Sequence, residues 1–240
     1  MTKRTQIEEL DFGKTTQLRL AVWKARRALR DRLRGKDILN TQDDRHPKAK
    51  IKQIYRQADS FLSSRLPSLV RETPREVAIT MLRDAINEMG YTVVDEDTKR
   101  PWGAYFRLDS EETDRFIREF FPGLDPDEAR LGRKDVELSP KFLLVVPGCR
   151  LSWQYHDRRA ERWRFLTEAT YYRGHSDTLP EPSIGKKDDI VQFDAGERHR
   201  LGSHKDGQSY SLVAEIWQHT DPSNPSDEAD IVRLEDDYSR

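Results

Sequence analysis

The feature that most constrains the fold is the change in sequence texture after Gly90. Beyond it, short runs rich in β-branched, aromatic and leucine residues alternate with clusters of Gly, Pro, Asp and Asn. These runs are Tyr91–Val94, Phe142–Val146, Leu151–Tyr155, Trp163–Thr167, Thr170–Tyr172, Ile190–Phe193 and Leu212–Trp217. The stretch Ser110–Ser139 interrupts the series and is expected to hold one short helix. Many short strands without a strand–helix–strand rhythm predict an antiparallel sandwich or barrel.

The first third of the chain has a helical pattern instead. Apolar residues recur every three or four positions over residues 15–33 and again over 51–62. A third segment starts with Thr73-x-x-Glu76, which is the pattern of a capping box, and ends at Gly90, where a glycine suits the helix C-terminus. We therefore predict three helices before the β region.

The two parts also differ in charge. Residues 1–75 carry 19 Lys and Arg against 9 Asp and Glu, a net charge of +10, whereas the whole chain has a net charge of −1. A cluster of basic residues on or just after the first predicted helix could neutralise phosphates: Arg26, Arg27, Arg30, Arg32, Arg34 and Lys36. Stacking aromatics and a nucleic-acid-binding motif do not accompany it, so docking on the acidic remainder, in the same chain or a partner chain, is the preferred interpretation over nucleic-acid binding. We predict a helical extension, residues 1–90, and a barrel domain, residues 91–240.

Composition excludes several protein classes. No apolar run approaches the roughly 18–20 residues that span a bilayer, and the N-terminal residues lack the apolar segment of a secretory signal. A single cysteine, Cys149, rules out an internal disulfide and a zinc site built on cysteines. We therefore expect a cytoplasmic protein that does not associate with membranes.

The chemical signal is a set of metal-binding side-chain types at strand spacing. Gln154 and His156 lie two residues apart, so on a strand both side chains point to the same face. Glu161 follows after a turn, where the next strand can bring it beside them, and Gly196-x-x-His199 offers a second imidazole. Two imidazoles, a carboxylate and an amide oxygen suit a divalent metal with positions left for water or substrate.

A lone histidine is more often a hydrogen-bonded structural residue than a ligand, so the context of these residues matters. Gly148, the Gln-x-His strand, Glu161, Gly196 and His199 follow one another in an order that resembles the two motifs of the cupin superfamily. The first cupin motif is usually His-x-His-x-x-x-x-Glu, and Gln154 replaces its first histidine. The resemblance implies a mainly β cupin barrel, a jelly-roll-like double-stranded β-helix, here with an α-helical N-terminal extension.

Four motifs narrow the resemblance to the isomerase domain of type II mannose-6-phosphate isomerases. They cover residues 100–240 in the order of that family. The motifs are Arg100-Pro101-Trp102-Gly103-x-Tyr105, Arg159-Ala160-Glu161-x-Trp163, Gly196-x-x-His199-Arg200-Leu201 and the run from Asp230 to Arg240. Although the acidic tail from residue 221 has the composition of a disordered segment, the resemblance implies that it packs back on the barrel.

By this resemblance the protein binds one divalent metal and isomerises an aldose and a ketose of a sugar phosphate such as mannose 6-phosphate. The implied ligands are Gln154, His156, Glu161 and His199. The sequence does not distinguish among Zn, Mn, Fe, Co and Ni, since imidazole, carboxylate and amide ligands accept several metals.

The sequence departs from the family beside the expected pocket. His156 is followed by Asp157 and Arg158 where the family commonly has a run of three histidines after the glutamine, and Arg162 replaces a histidine before Trp163. Two alternatives therefore stay open. One is an isomerase of an unphosphorylated aldose such as lyxose or mannose, and the other is a cupin that binds a sugar without catalysis.

Isomerisation through an enediol needs a base and an electrophile that steadies the developing oxyanion. The metal is the expected electrophile, and the candidate bases are His175, Tyr155, Asp157 and a hydroxide carried by the metal. A substrate phosphate needs cations, for which arginine is well suited. Five basic residues near the motifs are candidates for that contact: Lys141, Arg150, Arg159, Arg198 and Arg200. The expected partners are a small sugar or sugar phosphate and a second copy of the chain, since a symmetric homodimer is the commonest assembly.

Overall fold

The computed structural model describes Leu62 and residues 69–238, which form two antiparallel sheets and three helices. The helices are α1 (Arg75–Glu88), α2 (Thr113–Phe120) and α3 (Pro126–Ala129), with a 3-10 turn at Ser110–Glu112. The first strands are β1 (Val93–Asp97), β2 (Gly103–Leu108), β3 (Lys141–Val145), β4 (Trp153–Tyr155), β5 (Arg159–Phe165) and β6 (Ala169–Gly174). The remaining strands are β7 (Ser183–Gly185), β8 (Ile190–Phe193), β9 (Arg198–Gly202), β10 (Ser211–His219) and β11 (Val232–Glu235).

The strand order identifies the barrel. One sheet runs β1-β2-β3-β10-β5-β8 and the other runs β11-β4-β9-β6-β7. The eight strands from β3 to β10 are thus divided as 3-10-5-8 and 4-9-6-7, which is the arrangement of a jelly roll, with the chain crossing between the sheets. The predicted double-stranded β-helix is therefore confirmed, with β1, β2 and β11 added at the sheet edges.

Alternating side chains divide the apolar residues between two clusters. On β3, Phe142 and Leu144 face α1 and α2, and the Phe142 and Phe120 rings lie 5.2 Å apart at nearly a right angle. Leu143 and Val145 point the other way, into the interior between the sheets. Each helix therefore covers the outer face of the first sheet, while the space between the sheets holds the smaller cluster and the functional residues.

The start of α1 differs from the prediction and its end agrees. The first helical residue is Arg75, Pro74 occupies the N-cap, and no side chain caps the helix, so the capping box from Thr73 does not form. Pro74 has an extended ψ of 137°, which places Thr73 in the preceding turn. At the other end Gly90 has φ +77°, and Tyr91 donates a backbone hydrogen bond back to Ile86, as in a Schellman motif.

The predicted strands are all present, β8 with the predicted bounds and the others with shifted bounds. Four strands were missed: β2, β7, β9 and β11. The stretch Ser110–Ser139 holds two helices rather than one, because Phe121 ends α2 and Asp125 caps the short α3. The tail from residue 221 packs back on the barrel and contributes β11, as the resemblance implies. Among the described residues, no helix is long and apolar enough to cross a membrane.

Several sequence-based expectations concern residues that the structure does not describe or properties that it does not test. The helices predicted over 15–33 and 51–62, and the cluster of basic residues on the first of them, lie outside the described residues apart from Leu62. The division into an extension and a barrel at residue 90 and the homodimer stay predictions. Within the described part, α1 packs into the same apolar cluster as β2 and β3.

Candidate metal centre

Three neighbouring segments of the two sheets bring two imidazoles and a carboxylate together in a buried position. His156 follows β4, Glu161 lies on β5 and His199 lies on β9. Each of them offers a ligand atom within 4.8 Å of the others, and all three side chains are at most 2% exposed. The arrangement follows from the barrel topology, because β4 pairs with β9 and the turn after His156 leads directly into β5.

Backbone carbonyls set the orientation of both imidazoles. His156 Nδ1 lies 2.5 Å from the carbonyl oxygen of Asp230, and His199 Nδ1 lies 3.0 Å from that of Glu197. Because a carbonyl only accepts, each Nδ1 carries the proton and donates. In the neutral imidazole each Nε2 then presents a lone pair, and both face Glu161, at 2.9 Å from His156 and 3.3 Å from His199.

This leaves electron pairs facing one another in a buried space. Burial lowers the pKa of His156, which favours its neutral form. Burial alone raises the pKa of Glu161, but His156, His199 and Arg159 outweigh it and hold that pKa well below its ordinary value. Glu161 Oε2 and His199 Nε2 have no hydrogen-bond partner. Since unpaired buried polar atoms are costly, a cation between them fits the residues present.

Gln154, the fourth implied ligand, lies next to this triad of His156, Glu161 and His199. It stands opposite His199 in the pairing of β4 with β9 and lines the cavity beside Glu161. Its Oε1 accepts a hydrogen bond of 2.7 Å from Ser152 Oγ. An oxygen has a second lone pair, so this bond leaves Gln154 able to bind a metal, and its role as a ligand stays a prediction.

A polar cavity of about 290 Å³ opens beside the triad. Ligand pockets of roughly 300–1,000 Å³ are usual, so this one suits a small polar molecule. Four acidic residues line it: Asp95, Glu161, Glu215 and Glu228. Four basic residues also line it: Arg100, Lys141, Arg159 and Arg233. Two of the five basic residues proposed for substrate binding, Lys141 and Arg159, are thus at the cavity.

Carboxylates neutralise both of these cations. Lys141 Nζ lies 3.0 Å from Glu228 and 3.7 Å from Glu215. Arg159 Nε lies 3.1 Å from Glu161, and its guanidinium stacks on the Trp217 ring at 3.8 Å. These contacts mean that a substrate phosphate would have to compete with protein carboxylates for both cations.

The other three basic candidates have acidic partners away from the cavity. Arg198 pairs with Asp177 at 2.8 Å. Arg150 and the fully buried Arg200 both bind Asp237, at 2.7 Å and 2.6 Å. Since none of these three arginines lines the cavity, the expectation that they bind the substrate there is not supported by their positions.

The three side chains proposed as bases also lie outside the cavity lining. His175 is exposed in the turn after β6, and Asp157 is exposed in the turn after β4. Tyr155 is half-buried, with the Arg198 guanidinium 4.5 Å from the centre of its ring. A strand turns successive side chains to opposite faces, which explains why Tyr155 points away from the face that carries Gln154.

The cavity instead contains Glu215, which the sequence interpretation missed. Burial, followed by repulsion from Glu161, raises the pKa of Glu215 to about 7. Its carboxylate accepts a hydrogen bond of 3.0 Å from Trp163 Nε1. The signal in the sequence was a single charged residue within the otherwise apolar run Leu212–Trp217, a position where burial of an ionisable group marks a functional candidate.

Comparisons with known proteins do not assign the chain to a family. No protein-family model and no curated protein matches it. Solved structures with a similar fold include an uncharacterised conserved protein with a double-stranded β-helix domain from Klebsiella pneumoniae. It is 17% identical, with 40% of this chain and 74% of that protein covered and a TM-score of 0.32.

Two longer proteins also resemble it. The capsular polysaccharide assembling protein CapF from Staphylococcus aureus is 13% identical, with 73% of this chain and 42% of that one covered and a TM-score of 0.40. Tomato vicilin is 15% identical, with 55% and 32% covered and a TM-score of 0.37. The match thus spans less than half of either protein. At these identities and TM-scores the likenesses carry no argument about activity, substrate or partners.

Proposed function

We propose that this protein is a metal-dependent aldose–ketose isomerase that acts on a small sugar or sugar phosphate. The observation that carries the proposal is the placement of two complementary elements side by side, with Glu161 of the triad and Glu215 lining the same cavity. The triad of His156, Glu161 and His199 offers lone pairs to a cation, and Glu215 offers a carboxyl group whose pKa is about 7. An isomerase that works through an enediol needs both an electrophile and a base.

The two elements have separate tasks in this proposal. A divalent ion held by His156, Glu161 and His199, with Gln154 as a fourth ligand, would polarise the carbonyl and hydroxyl oxygens of the sugar. Glu161 is occupied as a ligand and is therefore unavailable as the base. Glu215 is preferred over His175, Tyr155 and Asp157 because it lines the cavity and they do not.

Glu215 would move the proton. Its carboxylate would take the proton from C2 of the aldose, which leaves an enediolate. A proton would pass from the C2 hydroxyl to the C1 oxygen, and Glu215 would return the carbon-bound proton to C1, which gives the ketose. The pKa of Glu215 is about 7 without a metal, so its carboxylate would be ionised near neutral pH and able to accept a proton. Lys141 Nζ lies 3.7 Å from Glu215 and stabilises its charged form, and the ion in the triad would lower its pKa further.

The family resemblance supports a phosphorylated substrate such as mannose 6-phosphate. One observation favours the second candidate, an unphosphorylated aldose such as lyxose or mannose. Lys141 and Arg159 already pair with carboxylates, Glu228 and Glu161. A phosphate would have to break these ion pairs to bind either cation, whereas a neutral sugar would leave them intact.

Metal analysis of the purified chain, followed by assays on mannose 6-phosphate, fructose 6-phosphate, mannose and lyxose, tests the proposal. We expect bound metal and turnover of at least one pair. Equal turnover without the phosphate would select the unphosphorylated substrate. A chain that binds no metal and converts none of these sugars is not the proposed isomerase.

A cupin that only binds sugar is separated from the enzyme by Glu215→Gln. The amide keeps the shape of the side chain but cannot accept a proton as a carboxylate does. The proposed isomerase loses turnover and keeps its metal, whereas a binding protein shows no turnover in either form. Glu168→Gln, at a carboxylate outside the cavity lining, serves as the matched control.

A further inference from the structure

A buried aspartate outside the barrel strands holds one of the proposed metal ligands in place. Asp230 precedes β11 in the segment of residues 226–237, which we call the C-terminal strap. Its carbonyl oxygen accepts the hydrogen bond from His156 Nδ1 that turns Nε2 toward Glu161. The strap therefore contacts the triad from behind, through a residue that is only 6% exposed.

The side chain of Asp230 fixes its own backbone against the turn that follows His156. Oδ1 accepts from the backbone N–H of Asp157 at 3.0 Å, and Oδ2 accepts from that of Arg158 at 3.1 Å. Ser226 Oγ donates a further bond of 2.6 Å to Oδ2. Hydrogen bonds to a charged acceptor are the stronger kind, so this carboxylate clamps the strap to the turn.

Other strap residues form part of the cavity wall. Glu228 binds Lys141 Nζ and Ser139 Oγ, at 3.0 Å and 2.7 Å. The backbone oxygen of Asp227 accepts from Arg159, at 2.8 Å. If the strap were displaced, His156 would lose its fixed orientation, and Lys141 and Arg159 would lose these hydrogen bonds.

We propose that Asp230 is a positioning residue for the metal, acting through His156. The proposal rests on the metal centre of the proposed function. The carboxylate anchors the strap, and the carbonyl of the same residue then holds His156 in the tautomer that leaves Nε2 free to bind a cation. Outer partners of this kind typically change metal affinity about 10–100-fold when they are removed.

The test measures Co²⁺ binding to the full-length chain, by affinity titration and by the visible absorption of the bound ion. Asp230→Ala keeps the backbone carbonyl but removes the clamp. We expect Co²⁺ affinity to fall about 10–100-fold and the absorption spectrum at saturation to change. Asp230→Asn retains one oxygen acceptor, so its Co²⁺ affinity should lie between those of the wild type and Asp230→Ala. Asp221→Asn makes the same chemical change on an exposed residue that precedes the strap and should bind as the wild type does.

Each outcome separates the two proposals. If the wild-type chain binds no Co²⁺, Zn²⁺ or Mn²⁺, the metal centre itself is wrong. If the wild type binds and both Asp230 variants bind with the same affinity and spectrum, only the role of Asp230 is wrong. Lower thermal stability of the metal-free Asp230 variants with unchanged affinity and spectrum would also overturn it. Should Asp230→Ala fail to fold, Ser226→Ala removes a single bond to the clamp and carries the same test.

Discussion

Glu161 Oε2 and His199 Nε2 lie 3.3 Å apart, both buried and both without a hydrogen-bond partner. His199 Nδ1 donates to Glu197, so the neutral imidazole has no proton on Nε2 to bridge the two atoms. Folded proteins rarely leave two acceptors facing each other without a donor or cation between them. Within residues 69–238 this pair is the clearest indication of a cation site, and the first prediction follows from it.

Addition of a divalent metal should raise the thermal unfolding midpoint of the metal-free protein. A ligand that binds only the folded state at 100 times its dissociation constant stabilises it by about 2.7 kcal/mol. His199→Ala should abolish this shift because it removes a ligand. His204→Ala is the matched control, since His204 lies in the loop after β9 and pairs with Glu168 and Asp206 outside the triad. A midpoint that does not respond to Zn²⁺, Mn²⁺, Co²⁺, Fe²⁺ or Ni²⁺ would argue against the metal centre.

A second prediction concerns Gln154 as the fourth metal ligand. Gln154→Ala should weaken metal binding, but less than His199→Ala does, because an amide oxygen is a weaker ligand than an imidazole for most of these metals. Gln192→Ala is the control, since Gln192 is exposed on β8 and its side chain accepts from Arg162. Isothermal titration measures all three. If Gln154→Ala binds the metal with wild-type affinity, Gln154 is not a metal ligand.

Glu215 should make the stability of the metal-free protein depend on pH. Burial raises its pKa from 4.5 to about 7, so between these values the folded state keeps a proton that the unfolded chain has lost. The free energy of unfolding therefore falls as pH rises from about 4.5 to about 7, by at most about 3 kcal/mol. Glu215→Gln has no such proton, so its stability relative to the wild type should increase over that interval.

Urea unfolding at pH 5 and pH 8 measures this difference, and effects of other titrating groups cancel between the two chains. Glu76→Gln, on the exposed face of α1, is the control and should follow the wild type. Bound metal should shrink the difference, because a cation beside Glu161 lowers the pKa of Glu215. Identical pH dependence in the wild type and Glu215→Gln would show that Glu215 ionises as it does in the unfolded chain.

Gly103 should tolerate no side chain. Its φ is +148°, and an added Cβ would lie 1.9 Å from the carbonyl oxygen of Leu144 on the paired strand β3. Because that neighbour is backbone, the strands would have to separate, and we expect Gly103→Ala to destabilise the fold by at least about 3 kcal/mol. Gly174→Ala is the control, since a Cβ there meets its neighbours at 3.9 Å. Denaturant unfolding of both variants measures the contrast, and equal stability would contradict the close pairing of β2 with β3.

Most strands with apolar sequences could be predicted, although β2 was missed, and the charged strand β9 could not. The run Ile190–Phe193 became β8 without a change of bounds. In contrast β9 has the sequence Arg-His-Arg-Leu-Gly, which reads as polar, yet four of its five residues are buried. Arg200 on β9 is fully buried because Glu235 and Asp237 neutralise it from the strap. Local pattern cannot reveal a strand whose charges are satisfied by residues far along the chain.

The same limit applies to the site. His156, Glu161 and His199 were named from their spacing and their order, and the structure brings them together. Glu215 and Asp230 were missed as site residues because their importance depends on long-range packing. Asp230 acts on a residue 74 positions earlier, and Glu215 gains its shifted pKa from burial among strands that are distant in sequence.

The bond between Asp230 and His156 also has a consequence for the order of folding. A contact across 74 residues closes a long loop, as the pairing of β3 with β10 also does, but the strap can dock only on a turn that the paired sheets already hold in place. The two sheets can pair before the strap docks, so we expect the strap contacts to be absent from the transition state. Interactions of that kind slow unfolding without speeding folding. A metal held by His156 would therefore lengthen the lifetime of the native protein and leave its folding rate unchanged.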